Sequence, residues 1–432
     1  MEKGGDLMID TMHNTEHRPM PLEGIKIVEY GVFHAGPGAS SILGDLGADV
    51  VKIESGSGDP ERYWTRLGRI NMSLSNGENI FFQISNRNKK GIYLDIEKEK
   101  GREIFHRLVK EADVFLTNLR KSTKAKLGID YDSLRTVNPQ IIHANVSGYG
   151  PEGPMKDLGA FDPLGLARSG LMYVTGASEP ALLHGGVMDQ ATAIAASHAI
   201  LTALLVRERS GMGQEVHVSL YGTGLWLMYP NMILSNVLSL GPMDISSNRC
   251  DHSPLRNFFR CKDEKWIMAT HHPEEKYWPL FCKATGQTAL LTDPRFKDNT
   301  ARNTNCRELV AIFDKVFATK TRDEWVEILL KEKLMVCPVL NINEIRDDPQ
   351  ARVNDYMVDF KDRLLGHATI PGYPVHFSAN RAGTRSFAPT LGEHTDLIMR
   401  QIGYTDQEIQ ELKKEGVIRQ GNEDWRNELS RG

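Results

Sequence analysis

Residues 21–54 read PLEGIKIVEYGVFHAGPGASSILGDLGADVVKIE. The run GIKIVEYG is rich in β-branched residues and ends in glycine, which predicts a strand. GASSILGDLGA then predicts a helix, and DVVKIE predicts the next strand. A strand, a crossover helix and a second strand form a right-handed βαβ unit, which is the repeating element of a parallel sheet.

The same alternation continues toward residue 224. Further strands are predicted at NRNKKGIYLDI, DVFLTN, QIIHANVSGYG and QEVHVSL. Helices are predicted between them, as in EKGREIFHRLVKEA, whose apolar residues have helical spacing. We therefore predict an α/β protein whose large Rossmann-like domain, residues 21–224, contains a mostly parallel sheet.

Residues 225–335 have a different pattern. RNFFRCKDEKWIMAT predicts a β-hairpin that turns at Asp263 and Glu264. Three helices follow, and the capping box Thr321…Glu324 marks the start of the last one. We predict a smaller α+β domain here. Residues 1–20 are expected to be a flexible lead-in, and residues 336–432 are expected to return to the large domain.

The composition excludes several classes of protein. The 432 residues carry a net charge of -4, so no general positive field attracts nucleic acid or an anionic membrane. Five cysteines are few for this length and odd in number, which predicts reduced thiols in a cytoplasmic protein. Residues 218–243 lack charge over a membrane-spanning length, but Pro230 and Asn231 interrupt them. A buried helix pair or subunit interface is the favoured interpretation.

A dinucleotide site is an alternative for the first βα turn. Gly36 and Gly38 lie in that turn, and Glu54 ends the following strand. Against this, Ser41 occupies the third glycine position and Pro37 lies inside the turn. No metal site is expected, because the cysteines and histidines between residues 250 and 272 match no established zinc pattern.

Several segments resemble the class III CoA-transferases, the family that includes the CaiB- and BaiF-type enzymes. They are HAGPGASSILGDLGADVVKIE, GSGDPER, NRNKKGIYLD, EADVFLTNLRKSTKAKLGIDYDSLRTVNPQIIHANVSGYGPEGP, GGVMDQATAIAASHAILTALLVRERSGMGQEVHVSL and APTLGEHTDLIMRQIGYTDQEIQELKKEGVI. The resemblance implies transfer of CoA from a donor acyl-CoA, such as succinyl-CoA, to an acceptor carboxylic acid. It also implies an interlocked dimer whose large domain is built from both chain ends.

The resemblance implies that Asp189 is the nucleophile and carries an aspartyl-CoA thioester. Considered by itself, an Asp that opens an Ala-rich helix is also a favoured N-cap residue. The helix dipole is expected to favour the ionised form of Asp189. Gly185 and Gly186, which precede it, are expected to let the backbone approach closely.

CoA and its thioesters are expected as substrates, and no permanently bound cofactor is expected. The CoA-binding residues implied by the resemblance are Phe33, His34, Ala35, Lys89, Asn118, Leu119 and Lys126. Phe33 and His34 should line the pantetheine and thioester region, with Lys89 and Asn118 near the nucleotide. The basic residues at strand ends or in the loops that follow are expected to meet the CoA phosphates, and they are Lys89, Lys90, Arg120, Lys124 and Lys126.

The resemblance is greatest to members that act on aromatic or branched acids, with Trp226, Met228 and Tyr229 as candidate pocket residues. A homodimer is expected, and a hetero-oligomer with a related subunit stays open. One alternative is a 2-methylacyl-CoA racemase, which is disfavoured because Phe161 stands where that enzyme has a proton-exchanging histidine. The other is a non-catalytic CoA-binding subunit.

Overall fold

A computed structural model describes residues 18–74, 77–174, 176, 178–239, 248–362 and 366–421. The predicted lead-in lies outside the described residues as far as position 17. The strands are β1 (Lys26–Glu29), β2 (Asp49–Glu54), β3 (Arg66–Leu67), β4 (Ile70–Asn71), β5 (Lys89–Leu94), β6 (Val114–Thr117), β7 (Ile142–Ser147), β8 (Gln214–Ser219), β9 (Arg256–Arg260), β10 (Trp266–Thr270), β11 (Val336–Val339), β12 (Met357–Asp362), β13 (Gly366–Pro371) and β14 (Ile418–Arg419).

The α-helices are α1 (Ala35–Asp45), α2 (Ile80–Ser85), α3 (Glu99–Glu111), α4 (Lys121–Leu127), α5 (Tyr131–Val137), α6 (Asp162–Ser169), α7 (Val187–Ser210), α8 (Leu220–Leu227), α9 (Tyr229–Leu238), α10 (Glu274–Ala284), α11 (Asn299–Thr304), α12 (Cys306–Phe317), α13 (Arg322–Lys331), α14 (Ile342–Ile345), α15 (Pro349–Val353), α16 (Thr395–Gln401) and α17 (Asp406–Lys414). Short 3-10 turns lie at Pro60–Tyr63, Leu171–Tyr173, Arg249–Asp251, Thr288–Leu291 and Pro294–Phe296.

The chain divides into two compact units. The large unit contains residues 1–172, 181–238 and 355–432, and the small unit contains residues 173–180 and 239–354. The boundaries predicted at residues 225 and 335 therefore lie instead after residues 238 and 354. Helix α8 packs on α6 and α7 in the large unit. Strand β11 pairs with β10 in the small unit, so the segment from residue 336 does not return directly to the large one.

The sheet of the large unit has the order β14-β5-β2-β1-β6-β7-β8. Every pairing is parallel except that of β14 with β5, so the predicted parallel-dominated α/β fold is confirmed. The chain moves outward from β1 on one side through β2 and from β6 on the other side through β7. The order thus reverses between β1 and β6, and ligands of open α/β sheets bind beyond the carboxyl ends of strands at such a point.

Helices cover the sheet on both faces. On one face α3, α5, α16 and α17 bury apolar residues such as Ile104, Phe105 and Leu412. On the other face α1 and α7 pack closely, since a Cβ added at Gly38 would lie 3.1 Å from the Ala193 Cβ. Full burial of a large apolar side chain contributes about 1.5–3 kcal/mol, so these two layers stabilise the sheet.

The small unit has its own core. Strands β9, β10 and β11 form an antiparallel sheet, which includes the predicted hairpin. Aromatic rings fill the space between the sheet and helices α10, α12 and α13, and the rings of Phe259 and Phe317 stack at 4.5 Å. The predicted capping box of Thr321 and Glu324 is confirmed at the start of α13.

Among the described residues, α7 is the one helix whose length and composition would allow it to cross a membrane. Core helices of soluble proteins share those properties, and α7 packs against α1 through Ala193 and Ala196. The uncharged stretch from residue 218 instead contains the end of β8 and the separate helices α8 and α9.

Candidate active site

A cavity of about 590 Å³ lies beyond the carboxyl ends of β1, β6 and β7 in the large unit. Its wall includes the predicted residues Phe33, His34, Ala35, Asn118, Leu119 and Asp189. The structure therefore brings together the segment after β1, the segment after β6 and the start of α7. These three segments are far apart in sequence and meet because the sheet order reverses here.

The segment after β1 is held by the Asn118 side chain. The Asn118 Oδ1 accepts from the Val32 N–H at 2.9 Å, and its Nδ2 donates to the Val32 carbonyl at 2.6 Å. Phe33 follows with φ of 58°, a conformation that costs a non-glycine residue about 1–3 kcal/mol. The Asp59 carboxylate accepts from the Phe33 N–H at 3.1 Å and helps to fix this turn.

Asp189 is the third residue of α7 rather than its N-cap, which is Gly186. The Asp162 carboxylate caps the helix instead, because its Oδ1 accepts from the N–H groups of Met188 at 2.6 Å and Asp189 at 2.9 Å. No hydrogen bond to the Asp189 carboxylate is found among the described residues. That carboxylate lines the cavity, so it is available to a ligand.

Gly185 and Gly186 have φ of 90° and 71°, which a residue with a Cβ rarely adopts. Nothing lies within 4 Å of a Cβ added at either position, so these glycines provide backbone geometry rather than the close approach that the sequence suggested. The turn they form directs the start of α7 toward the cavity.

Burial raises the pKa of Asp189 to about 7, and the negative charge of Asp162 adds to this rise. The sequence-based expectation was that the helix dipole would favour the ionised form of Asp189. Loss of hydration outweighs the dipole, whose effect is typically 0.3–1 kcal/mol. Asp189 consequently titrates near neutral pH and is a more basic carboxylate than an exposed Asp.

His34 occupies the wall beside Asp189. Its Nδ1 lies 2.7 Å from the Ser85 hydroxyl, and its Nε2 lies 2.8 Å from the Oε1 of Gln190, the residue after Asp189. Burial lowers the pKa of His34, so the imidazole is neutral at pH 7. Its two ring nitrogens therefore have different roles, one as donor and one as acceptor.

Positive charge enters the cavity wall from α4 and from the loop after β7. Arg120, Lys121, Lys124 and Lys156 line the cavity. Lys124 is itself buried and donates to the Asn145 side chain, whereas Arg120 and Lys156 are exposed. An anionic ligand that enters the cavity would meet these groups.

Two predicted CoA-binding residues lie elsewhere. The Lys89 ammonium is fully enclosed and donates to Glu29 at 2.6 Å and to three further acceptors, so the structure does not bring it to the cavity. Lys126 is on the exposed side of α4 and pairs with Glu97 at 3.1 Å. Lys90 also lies outside the wall and pairs with Asp49.

The predicted substrate-pocket residues are not in the cavity wall either. Trp226 and Tyr229 are 73% and 55% exposed, and their rings contact each other at a centroid distance of 5.2 Å. Met228 is buried between α8 and α9. The apolar part of the wall instead includes Phe33, Leu158 and Phe161.

Comparison with known proteins agrees with this arrangement. Residues 22–395 match the model of CoA-transferase family III. This chain belongs to that family. The family model spans both units and includes every residue of the cavity wall, so the resemblance that the sequence motifs indicated is confirmed.

Two relatives of this CoA-transferase are CoA-transferases by name. The (R)-2-hydroxy-4-methylpentanoate CoA-transferase of Clostridioides difficile is 31% identical over 93% of this chain and 100% of its own. The cinnamoyl-CoA:phenyllactate CoA-transferase of Clostridium sporogenes is 31% identical over 93% of this chain and 98% of its own. A CAIB/BAIF family protein from Brucella suis has a similar structure, with a TM-score of 0.79 and 28% identity over 89% of this chain and 100% of its own.

The dinucleotide alternative does not fit the geometry of this CoA-transferase. Gly36 and Gly38 lie inside the first turn of α1. Glu54, the acid expected to bind a ribose, is buried and forms a double hydrogen bond with Arg62 at 2.7 and 2.8 Å. Its carboxylate is therefore occupied within the protein.

The racemase alternative lacks its proton-exchanging side chain. Phe161 lies in the cavity wall, with its ring edge-on to Phe33 at 5.1 Å. A phenyl ring exchanges no proton, so this position cannot serve as the base. Among the described residues, no three His, Cys, Asp or Glu side chains are grouped in a way that could hold a metal ion.

Sequence reasoning missed the contacts of two side chains beside the cavity wall, Asp162 and Gln190, and the burial of Glu61. Asp162 precedes Pro163, a pair typical of a helix start, but nothing in the sequence shows that its carboxylate caps a different helix. Glu61 lies between the proline and the arginine of GDPER, where a charged residue predicts exposure. The structure buries it to 1% exposure.

Proposed function

We propose that this chain transfers CoA between carboxylic acids through a thioester on Asp189. One observation carries the proposal: a carboxylate with a pKa of about 7 lines a cavity, while a second carboxylate, Asp162, performs the helix capping that would otherwise engage it. Neither group is an ion-pair partner of a cation among the described residues. Such a carboxylate is a stronger nucleophile than an exposed one.

The proposed reaction begins when an Asp189 oxygen attacks the thioester carbonyl of the donor acyl-CoA. The carbon–sulfur bond breaks, which gives a mixed anhydride and CoA thiolate. The thiolate attacks the Asp189 carboxyl carbon, the anhydride carbon–oxygen bond breaks, and the donor acid leaves as a carboxylate. Asp189 now carries CoA as a thioester.

The acceptor carboxylate then reverses these steps. It attacks the aspartyl thioester, expels the thiolate and forms a second mixed anhydride. The thiolate attacks the carbonyl carbon of the acceptor, which releases the new acyl-CoA and restores the Asp189 carboxylate. No net proton is gained or lost, and the thioester energy is retained as long as water is excluded from the anhydrides.

The nucleotide part of CoA is proposed to meet the cations of the cavity wall. Arg120 and Lys156 are exposed there, and their charges complement the CoA phosphates. The neighbouring apolar wall of Phe33, Leu158 and Phe161 suits the acyl group of the donor or acceptor.

The acceptor is proposed to be an aromatic or branched acid. This assignment is supported by the apolar wall and by the names of the two relatives, one a branched hydroxy-acid CoA-transferase and the other a phenyllactate CoA-transferase. Succinyl-CoA or another acyl-CoA is proposed as the donor.

A homodimer in the cytoplasm is proposed as the working form. Support for assembly comes from exposed apolar side chains on α9, where Met232, Ile233, Leu234 and Val237 are each at least 42% exposed. Large exposed apolar groups of this kind mark interaction surfaces. Free cysteines are consistent with a reducing compartment. A related chain as the partner is the other form to distinguish by mass measurement of the purified protein.

Trapping of the thioester tests the mechanism. The protein is incubated with succinyl-CoA and treated with hydroxylamine, and peptide mass analysis is expected to find a hydroxamate on Asp189 alone. The Asp189→Ala variant should lose transfer to every acid in a panel by at least a thousandfold while its circular dichroism is unchanged. Transfer by Asp189→Ala would refute the mechanism. CoA binding without exchange by the wild type would support the non-catalytic subunit.

The location of the nucleotide is tested by the Michaelis constant for acyl-CoA. Arg120→Met is expected to raise this constant by about tenfold, because loss of one phosphate contact costs on the order of 1.4 kcal/mol. Lys100→Met removes a surface cation that pairs with Glu415 and is the control. A larger increase for Lys126→Met than for Arg120→Met would contradict the proposed position.

A further inference from the structure

The turn between β1 and α1 holds one side chain of the cavity wall in a strained conformation. Phe33 has φ of 58°, a left-handed conformation that phenylalanine rarely adopts. Glycine would adopt it without strain. The chain instead has a phenyl ring here, and that ring lies in the cavity wall, edge-on to Phe161 at 5.1 Å. Strain of this kind is typical of positions where a side chain is needed in one place.

Three consecutive residues of this turn are fixed by side chains from other segments. The Lys52 ammonium donates to the Gly31 carbonyl at 2.9 Å. The Asp59 carboxylate accepts from the Phe33 N–H at 3.1 Å. The residue between them is paired through its N–H and its carbonyl with the Asn118 amide. A strained conformation persists only where contacts determine it to this extent.

Asp59 holds the turn without reaching the cavity. It is buried, and it is not among the described residues that form the cavity wall. Its Oδ2 accepts from the Lys52 ammonium at 3.0 Å. Its Oδ1 accepts from the N–H groups of Phe33 at 3.1 Å and Glu61 at 3.0 Å. Both carboxylate oxygens are thus used within the protein, so Asp59 can affect a substrate only through the residues that it holds.

Capping of a turn does not by itself account for these bonds. Asp59 and Asp293 each precede a proline at the start of a 3-10 turn, and each accepts from the N–H two residues further on. The other bonds of Asp293 go to the exposed Arg295 side chain. Asp59 instead bonds to the N–H of Phe33, 26 positions earlier, and to the buried Lys52. The difference between the two aspartates therefore isolates these two bonds.

We propose that Asp59 is a positioning residue that sets selectivity for the acyl group through the Phe33 ring. The effect on selectivity rests on the proposed transferase function. The carboxylate accepts a charge-assisted bond from the Phe33 N–H, and the ionic contact with Lys52 keeps it in one orientation. The ring then stays against Phe161 as a fixed apolar surface, which suits an aromatic acid better than a short one. Without these bonds the strained turn relaxes and the ring leaves this position.

Amide hydrogen exchange of the ligand-free protein is the first test. Asp59→Asn leaves one oxygen where the carboxylate uses two, and the Lys52 cation attracts that oxygen, so the bond to the Phe33 N–H is lost. Exchange in the peptide that covers residues 31–36 is expected to become about tenfold faster. The peptide that covers β7 should exchange as in the wild type. Asp293→Asn removes the matched cap and should leave residues 31–36 unchanged.

Unchanged exchange of residues 31–36 in Asp59→Asn would overturn the proposal. Equal acceleration in Asp293→Asn would also overturn it, because loss of an unrelated cap would then have the same effect. The measurement needs no substrate. It therefore decides whether Asp59 fixes the turn independently of whether the chain proves to be a CoA-transferase.

Selectivity is measured as the ratio of kcat/KM for phenylacetate to kcat/KM for acetate, each as acceptor of CoA. The ratio is expected to fall by about tenfold in Asp59→Asn, a typical effect of one apolar contact on discrimination. It should stay within about twofold of the wild type in Asp293→Asn. A lower amount of folded enzyme reduces both kcat/KM values equally and leaves the ratio unchanged, so the ratio distinguishes positioning from instability.

An unchanged ratio in Asp59→Asn would refute the role in selectivity. Absence of transfer to either acid by the wild type would refute the transferase function and the selectivity with it. The exchange result would still decide whether Asp59 fixes Phe33.

A glycine substitution at position 33 provides a second test. Phe33→Gly removes the ring and the strain together, so the ratio should fall there as well. Asp59→Asn added to Phe33→Gly should change the ratio by less than about twofold, because no ring remains to be positioned. A further large fall would show that Asp59 acts by another route. Phe33→Gly leaves the bond between Asp59 and Lys52 intact, so an unchanged ratio in it overturns the proposal even where Asp59→Asn folds poorly.

Discussion

Two groups of buried carboxylates in the large unit differ in the charges that surround them. Glu29 is fully buried and pairs with Lys52 at 2.9 Å and Lys89 at 2.6 Å. Glu61 and Asp189 have no ion-pair partner among the described residues. Burial alone would raise the pKa of Glu29, but the two ammonium groups lower it to about 2. Burial raises the pKa of Glu61 to about 8 and that of Asp189 to about 7.

The presence or absence of a neighbouring cation determines whether a buried carboxylate stabilises the fold or titrates near neutral pH. A compensated carboxylate such as Glu29 stays ionised at every physiological pH and holds β1, β2 and β5 together. No cation offsets the free-energy cost of burying an ionised carboxylate at Glu61 or Asp189. Their pKa values therefore lie near neutrality. The same residue types therefore serve as fixed ionic supports in one place and as groups that titrate near neutral pH in another.

The largest effect is expected from removal of a cation in the compensated group. Lys52→Met leaves Glu29 and Asp59 buried with one fewer partner, so the free energy of unfolding should fall by about 3–5 kcal/mol. Urea unfolding at pH 7 measures this loss. Lys26→Met removes an exposed ion pair with Glu111 and should cost less than about 1 kcal/mol. Equal losses for the two variants would contradict the comparison.

A smaller effect of opposite sign is expected in the uncompensated group. The pKa of Glu61 rises from 4.5 to about 8 on folding, so its contribution to stability is present below pH 4.5 and is lost as the pH rises toward 8. Glu61→Gln removes the ionisation and should be more stable than the wild type by up to about 3 kcal/mol at pH 7.

This gain should fall to about 0.4 kcal/mol at pH 4.5, where Glu61 of the unfolded chain is half ionised, and disappear at lower pH, where wild-type Glu61 is protonated in both states. Urea unfolding at a series of pH values measures it, and Glu111→Gln provides the exposed control. A difference between wild type and Glu61→Gln that is the same at pH 4.5 and at pH 8 would mean that Glu61 is ionised in the folded protein.

The smallest effect concerns the charge beside Asp189. Asp162→Asn keeps an oxygen that can cap α7 but removes the negative charge, so the pKa of Asp189 should fall. The acid side of the profile of kcat/KM is expected to move to lower pH by about one unit. Asp157→Asn, on the exposed loop before α6, should leave the profile in place. No displacement in Asp162→Asn would show that burial alone determines the pKa of Asp189.

The sequence was sufficient to predict the fold class, and Asp189, which it singled out, lies in the wall of the cavity. Periodicity located the strands of the parallel sheet, and the capping box at Thr321 was found where expected. The role proposed for Asp189 came from the family resemblance, since an Asp at a helix start also suits a simple cap.

Pairings between distant residues were not predictable. Lys89 was expected near the nucleotide because of the family resemblance, but its ammonium is buried in the interior, where it donates to Glu29 on β1. Asp162 caps α7 through a contact with Met188, which lies far away in sequence. No periodic pattern records such contacts, because they depend on which strand ends meet at the reversal of the sheet order.

The antiparallel pairing of β14 with β5 has a consequence for synthesis of the chain on the ribosome. Ile418 hydrogen-bonds beside Leu94, so one edge of the sheet is completed only after almost the whole described chain has been translated. Residues 239–354, in contrast, form most of the small unit from one continuous stretch. We expect that stretch to become protease-resistant on stalled ribosomes while the edge of β5 is still open to other strands or chaperones.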